Sequence, residues 1–188
     1  MAPKVKITKE KIIETASNII RENGSDALNA RAIAASLGCS TQPIFSNFKD
    51  MDELQGEVIL DSYNLYLDYI SNEINSGKYP KYKSMGMAYI RFAIEQRELF
   101  KLLFMRDRTG EDTSPAVDFV ESARIIMEST GLSYEKAMLM HLEIWTCVHG
   151  IGVMLATSFL TFDWDTISNM LTDVYQGIRA RHLAGEKK

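Results

Sequence analysis

Residues 29–48 read NARAIAASLGCSTQPIFSNF, and the fold class turns on how this stretch is parsed. Ala30, Ile33, Ala34 and Leu37 recur at i, i+3, i+4 and i+7, one apolar stripe on a short helix, and Asn29 stands where a side-chain cap would start it. Gly38 admits the positive φ that ends such a helix and turns the chain. Ser40 and Thr41 then offer hydroxyls to cap a second short helix. That helix turns only Ile44 and Phe48 inward and leaves Thr41, Gln42, Pro43, Phe45, Ser46 and Asn47 outward. Two short helices joined by a glycine turn, the second displaying small polar groups, have the plan of a helix-turn-helix. A tight helical hairpin without a ligand satisfies the same window.

The 188-residue chain is long enough for one domain, or for a small module fused to a larger one, with a real core. Apolar residues at 46% and charged residues at 24% describe an ordinary globular protein. Four prolines and the lack of alternating apolar runs predict an all-α fold. The net charge of −4 argues against indiscriminate coating of nucleic acid, but its distribution is uneven. Residues 1–50 carry seven basic against five acidic side chains, a net +2, which leaves −6 for the remainder. A small basic head on an acidic body suits nucleic-acid contact at one end only. Cys39 and Cys147 lack metal-ligand spacing and are expected to be reduced core thiols of a cytoplasmic protein. The amino terminus has basic residues but no apolar core of a secretory signal.

Outward from the opening stretch, Thr8 is placed to cap a first helix that runs to Asn23 and stops at Gly24, burying Ile12, Ala16, Ile19 and Ile20 with Ile13 beside them. Residues 2–6 read as a solvated basic tail. Asp50 and Glu53 have capping-box spacing and open a long helix through Asn75, whose buried side reads Ile59, Tyr63, Tyr66, Leu67, Ile70 and Ile74. Gly77 to Lys81 is the clearest break. Lys83–Glu95 and Arg97–Met105 predict a helix broken near Gln96, followed by an exposed loop from Arg106 to Thr113. Ser114 and Pro115 are a cap and first-turn proline for a helix burying Ala116, Phe119, Val120, Ala123 and Met127.

Ser133 opens a helix to about Leu160 that is apolar on two sides. Ala137, His141, Ile144, Val148, Ile151 and Leu155 make one seam; Met138, Leu142, Trp145, His149, Gly152, Ala156 and Phe159 make a second. Asp163 caps a final helix in which Trp164, Ile167, Leu171, Val174 and Ile178 repeat the alternation of threes and fours. Two such helices meeting their copies would form a four-helix interface across a two-fold axis, with Ile144, Val148, Ile151, Leu155, Ile167, Leu171, Val174 and Ile178 as its candidate residues. Ile144–Leu160 lacks charged residues but is short of the roughly 20 residues that span a bilayer, so an interface helix is expected and no membrane.

This order of parts resembles the TetR family of bacterial one-component transcriptional regulators. The resemblance is strongest from Ile12 to Leu54, where Ile33-Ala34-Ala35, Gly38 and Phe45-Ser46-Asn47-Phe48 follow the family's alanine-rich helix, glycine turn and aromatic-x-x-Phe ending. Trp145, His149 and Gly150 look like the Trp-x-x-x-His-Gly signature of one body subtype. The resemblance implies about nine helices: a helix-turn-helix head over residues 1–49 and a ligand-binding and dimerisation body over 50–188. It implies a homodimer that binds a palindromic double-stranded operator and represses transcription until a small apolar or amphipathic effector arrives.

Carried over by position, Thr41, Gln42, Pro43 and Ser46 approach bases, while Arg31, Ser40, Phe45, Asn47 and Lys49 sit along the phosphates. Two departures weaken the electrostatic grip: Phe45 lacks the hydroxyl of the usual tyrosine, and Met51 stands where a lysine is usual. The candidates for an effector pocket are Tyr63, Tyr66, Tyr89, Phe92, Phe100, Phe104, Met105, His141, Trp145 and His149, aromatic walls with a few polar tips. No cofactor, metal site or catalytic constellation is expected: His141 and Glu143 point different ways on their helix, and no phosphate loop or nucleophile elbow is present. The alternative is a helical small-molecule binding protein or enzyme whose head is purely structural.

Overall fold

The computed structural model describes residues 7–111 and 117–184. Among these are nine α-helices, one 3-10 turn and no strand. The described residues cluster into two compact units, one holding the chain up to Leu67 with Gln96–Arg106, the other Asp68–Glu95 with the chain from Asp107 on. This division by contacts falls inside the helix Met51–Asn75. The expected tail at residues 2–6, the Ser114–Pro115 start signal and Ala116 lie outside the described residues.

In the first unit, α1 (Lys9–Asn23) starts where Thr8 accepts from the Lys11 amide. A 3-10 turn at Ser25–Ala27 leads to α2 (Ala30–Ser36), capped by the Asn29 side chain, which accepts from Ala32 at 2.9 Å. Gly38 has φ +63°, as its turn requires. The six-residue α3 (Gln42–Asn47) begins without the expected hydroxyl cap: Thr41 is itself helical, and its carbonyl accepts from Ile44 and Phe45. Then α4 (Met51–Asn75) opens on Asp50, which accepts from the Glu53 amide at 2.9 Å, while Glu53 accepts from the Lys49 amide at 2.6 Å. The unit is completed by α6 (Arg97–Phe104), which packs on α1. Ile12, Ala16, Ile20, Ile33, Ile44, Phe48, Leu54 and Val58 are buried. Lys9 pairs with Glu57 at 2.6 Å and Ser17 donates to Asp61, tying α1 to α4.

The expected buried side of α4 is corrected. Its most buried line is Leu54, Val58, Ser62, Tyr66, Ile70 and Glu73, whereas Ile59, Tyr63, Leu67 and Ile74 are half-buried. Ser62 and Glu73 are polar, so an apolar count rotates the stripe by one position. Ser62 is satisfied by donating to the Val58 carbonyl at 2.7 Å.

In the second unit, α5 (Lys81–Glu95), α7 (Val117–Thr130) and α9 (Trp164–Ala184) pack around α8 (Tyr134–Ala156). The whole first seam of α8, Ala137 to Leu155, is buried. By length and composition α8 could cross a membrane, and burial of that seam is what marks it as a core helix. It ends earlier than expected, because Ser158 takes φ +57°, Ser158 donates to Leu155 and Phe159 to Met154, a Schellman stop without glycine. On α7, Ala123 is buried as expected, but Val120 is 45% exposed and Ser122 and Ile126 are buried in its stead. Cys147 is exposed and Cys39 half-buried, so neither is a core thiol.

Gly86 lets α5 approach its neighbours: a Cβ there would lie 2.9 Å from Leu171 Cδ2 and 3.7 Å from Val148 Cγ2. Gly86→Val is therefore expected to lower the unfolding free energy by about 1–3 kcal/mol through overpacking. Gly56→Ala, whose Cβ meets nothing within 4 Å on α4, should instead add up to about 1 kcal/mol of helix propensity. Urea titrations of both variants check the opposite signs.

Candidate nucleic-acid interface and ligand site

Six residues make a marginal helix by themselves, so α3 depends on its anchors, Ile44 and Phe48, at 0% and 2% exposure. With those two inside, Gln42, Phe45 and Ser46 are exposed and Thr41, Pro43 and Asn47 half-buried. Ser46 donates to the Gln42 carbonyl at 2.9 Å and Asn47 to the Pro43 carbonyl at 2.7 Å. The Gln42 amide makes no hydrogen bond among the described residues and stays available to an outside donor–acceptor pair. Arg31 and Ser40 are exposed, and Arg31 has no carboxylate partner among the described residues. Lys49 is free at its tip apart from Asp50 at 3.8 Å. The neighbouring cations are occupied: Lys9 by Glu57, Lys11 by Glu14. Met51, at the start of α4, is half-buried.

The ten candidates for an effector pocket separate by unit. In the first, Tyr66 meets Tyr63 at 5.8 Å and Phe104 at 5.3 Å, and Phe104 meets Phe100 at 5.2 Å, while Met105 is 42% exposed. In the second, Phe92 is fully buried against Tyr69, a core role. Tyr89, His141, Trp145 and His149 join a ring cluster with Tyr82, Phe119 and Tyr175, which are not among the ten candidates.

That cluster rests on two tyrosine–histidine pairs. Tyr82 Oη lies 2.9 Å from His141 Nδ1, and Tyr89 Oη lies 2.7 Å from His149 Nδ1. The spacing was legible: the tyrosines are seven apart on α5 and the histidines eight apart on α8, both about two turns. Trp145 stacks on His149 at 4.8 Å with an interplanar angle of 16°, an i,i+4 contact. Phe119 from α7 stands perpendicular to His141 at 4.7 Å and leans on Trp145 at 5.3 Å. Burial pushes His141 down to about 4, lowers His149, and raises both tyrosines, so all four are neutral near pH 7. The signature-like triplet thereby acquires a physical reading: Trp145 and His149 build the cluster, while Gly150 is half-exposed with open space at its Cβ position.

A second polar group lies at the end of α4. Glu73, 7% exposed, pairs with Arg91 at 3.1 Å; Arg91 also meets Glu95 at 3.6 Å and covers Trp164 at 4.6 Å. Tyr69 donates to Glu95 at 2.9 Å, and with Asn72 these side chains line an open cleft. Glu143, weighed above as a metal ligand, instead accepts from Arg181 and His182. Among the described residues no three metal-ligating side chains gather.

Residues 82–175 match the family described as Tetracyclin repressor-like, C-terminal domain, half of the chain. The chain belongs to the TetR family of transcriptional regulators. Over 173 residues, 90% of either chain, it is 18% identical to the uncharacterised HTH-type transcriptional regulator YobS of Bacillus subtilis (strain 168). It is 22% identical over 192 residues to the uncharacterised HTH-type transcriptional regulator Rv0681 of Mycobacterium tuberculosis, covering 98% of this chain and 88% of the relative. Its fold matches a protein of unknown function from Rhodococcus sp. RHA1 at TM-score 0.71 and 18% identity, covering 98% of each chain. This regulator is thus a DNA-binding helix-turn-helix protein.

Neutral His141 makes stability depend on pH. Its folded value of about 4 lies below the ordinary 6.5, so the unfolded chain binds the extra proton between these values. The contribution is whole above pH 6.5 and lost as pH falls toward 4, about 3 kcal/mol in all. His141→Phe should flatten the dependence over this window, as read from urea unfolding at pH 7, 5.5 and 4.

Proposed function

We propose that this regulator is a ligand-responsive repressor that works in the cytoplasm as a homodimer on a palindromic operator. The observation that carries the proposal is α3 itself, seated by Ile44 and Phe48 with the Gln42 amide and the Phe45 ring outward. Gln42 matches the donor–acceptor edge of adenine, and the carbons of Thr41 and Pro43 suit a thymine methyl. Ser46 joins them by exchanging its bond to the helix for one to a base. Arg31, Ser40, Phe45, Asn47 and Lys49 hold the backbone and set register. With Arg31 and the loosely held Lys49, 3.8 Å from Asp50, as the cations of the reading surface, binding is of modest affinity and salt-dependent.

The dimer surface differs from the one the sequence suggests. Ile144, Val148, Ile151, Leu155, Ile167 and Leu171 are already buried in this chain, and only Val174 and Ile178 keep partial exposure. A third stripe of α8, Leu139, Leu142, Thr146, Gly150, Val153 and Thr157, shares one helical face and is exposed or half-exposed along its length. Phe159 and Leu160 extend it at 75% and 44% exposure. A second copy is the occupant that fits this stripe, since two such faces are self-complementary across a two-fold axis.

An effector acts only by its different affinity for DNA-competent and incompetent arrangements of the dimer. The continuous 25-residue α4 is the element that carries the chain from the first unit into the second. The second unit's ring cluster, with neutral polar tips, is the effector site.

Gln42→Ala should cost about 1–3 kcal/mol on the cognate operator and relax preference at one base pair, while Lys49→Ala should reduce the salt slope by about 1. Binding titrations on upstream and random DNA at two salt concentrations read both; equal affinity for the two DNAs would sink the repressor. Gly150→Arg should yield monomers with native helicity, because nothing lies within 4 Å of its Cβ position. An unchanged mass in sedimentation would move the interface elsewhere.

A further inference from the structure

His141 carries one polar atom that its surroundings leave unserved. The residue is 7% exposed, its Nδ1 meets Tyr82, and its Nε2 is enclosed without a hydrogen-bond partner among the described residues. A phenol is a better donor than a neutral imidazole N–H, and an imidazole nitrogen a better acceptor than a phenol oxygen. Tyr82 therefore donates to Nδ1, and the ring proton resides on Nε2. The orphan is thus a donor, and a buried donor without an acceptor is costly to keep. The side chains around it are aromatic. The Phe119 ring stands perpendicular to the imidazole with centroids 4.7 Å apart and, half-exposed, also leans on half-exposed Trp145.

We propose that the body of this regulator takes a neutral aromatic molecule bearing a hydrogen-bond acceptor (a ketone, ester, ether or ring nitrogen), which receives the His141 Nε2–H while its ring lies against Phe119 and Trp145. This names the effector class for the repressor reading above and rests on that reading for its regulatory meaning only. Because Nε2 is enclosed, binding requires the half-exposed Phe119 to give way. An anion or a cation is disfavoured by the cost of burying a charge among aromatic side chains, where the one unserved group is a neutral N–H. Burial of His141, which keeps the imidazole uncharged, removes the alternative of an ion pair.

The test uses four probes of similar size: acetophenone, cumene, benzoate and benzylammonium. The full chain carries Trp164→Phe, so that Trp145 is the one fluorescent indole. Acetophenone should bind at least about tenfold more tightly than cumene, with both ions weaker than either. His141→Phe should bring acetophenone to the cumene level while cumene binding persists. Nitrogen-resolved NMR of the free protein should find His141 as the Nε2–H tautomer, its proton shifting with acetophenone and not with cumene. Equal affinities for acetophenone and cumene, preference for either ion, an Nδ1–H tautomer, or no saturable change with any probe would each overturn the assignment. Acetophenone binding that leaves operator affinity unchanged counts against the ligand-responsive repressor and leaves the ligand class standing.

Discussion

Seating α3 on two side chains is the constraint from which the head follows. A six-residue helix gains too little from its own hydrogen bonds to persist, so Ile44 and Phe48 must hold it against the rest of its unit. Their inward direction fixes the outward direction of Gln42, Phe45 and Ser46. The Lys9–Glu57 and Ser17–Asp61 contacts brace α1 against α4, and Lys9 also lies 5.3 Å over the Phe48 ring. One of the basic side chains counted in the head's net charge of +2 is thereby engaged in holding α3 in place.

The body is organised by a helix with three jobs. One face of α8 closes the core with α5, α7 and α9; a second carries Trp145 and His149 into the ring cluster; a third is left outward, lined with Leu139, Leu142, Gly150 and Val153. Gly86 on α5 makes room for the first face, since Val148 and Leu171 fill the space its missing side chain leaves. The tyrosine–histidine pairs then cross-link α5 to α8 by hydrogen bonds between partners that are neutral near pH 7. A polar layer of this kind is favourable inside a core only when its members are paired, and among the described residues the Nε2 of His141 is left without a partner.

Local physics set much of this molecule directly in the sequence. The caps at Thr8, Asn29, Asp50, Ser133 and Asp163, the Gly38 turn, the break at Gln96 and the inward pair Ile44 and Phe48 are decided within a few residues, by side-chain oxygens near free amides and by apolar spacing. Those were legible, and with them the helix order and the family. Tertiary structure decided what periodicity cannot: which of two apolar seams on α8 is internal, that Ser62 and Glu73 lie on the buried side of α4, and that α8 stops at a left-handed serine. It also brought Tyr82 and Phe119 to the histidines and divided the expected pocket residues between two units. The reason is the same in each case. Hydrophobic spacing reports that a face must be covered, but what covers it depends on partners far away along the chain, and a buried polar group is betrayed only by the partner that satisfies it.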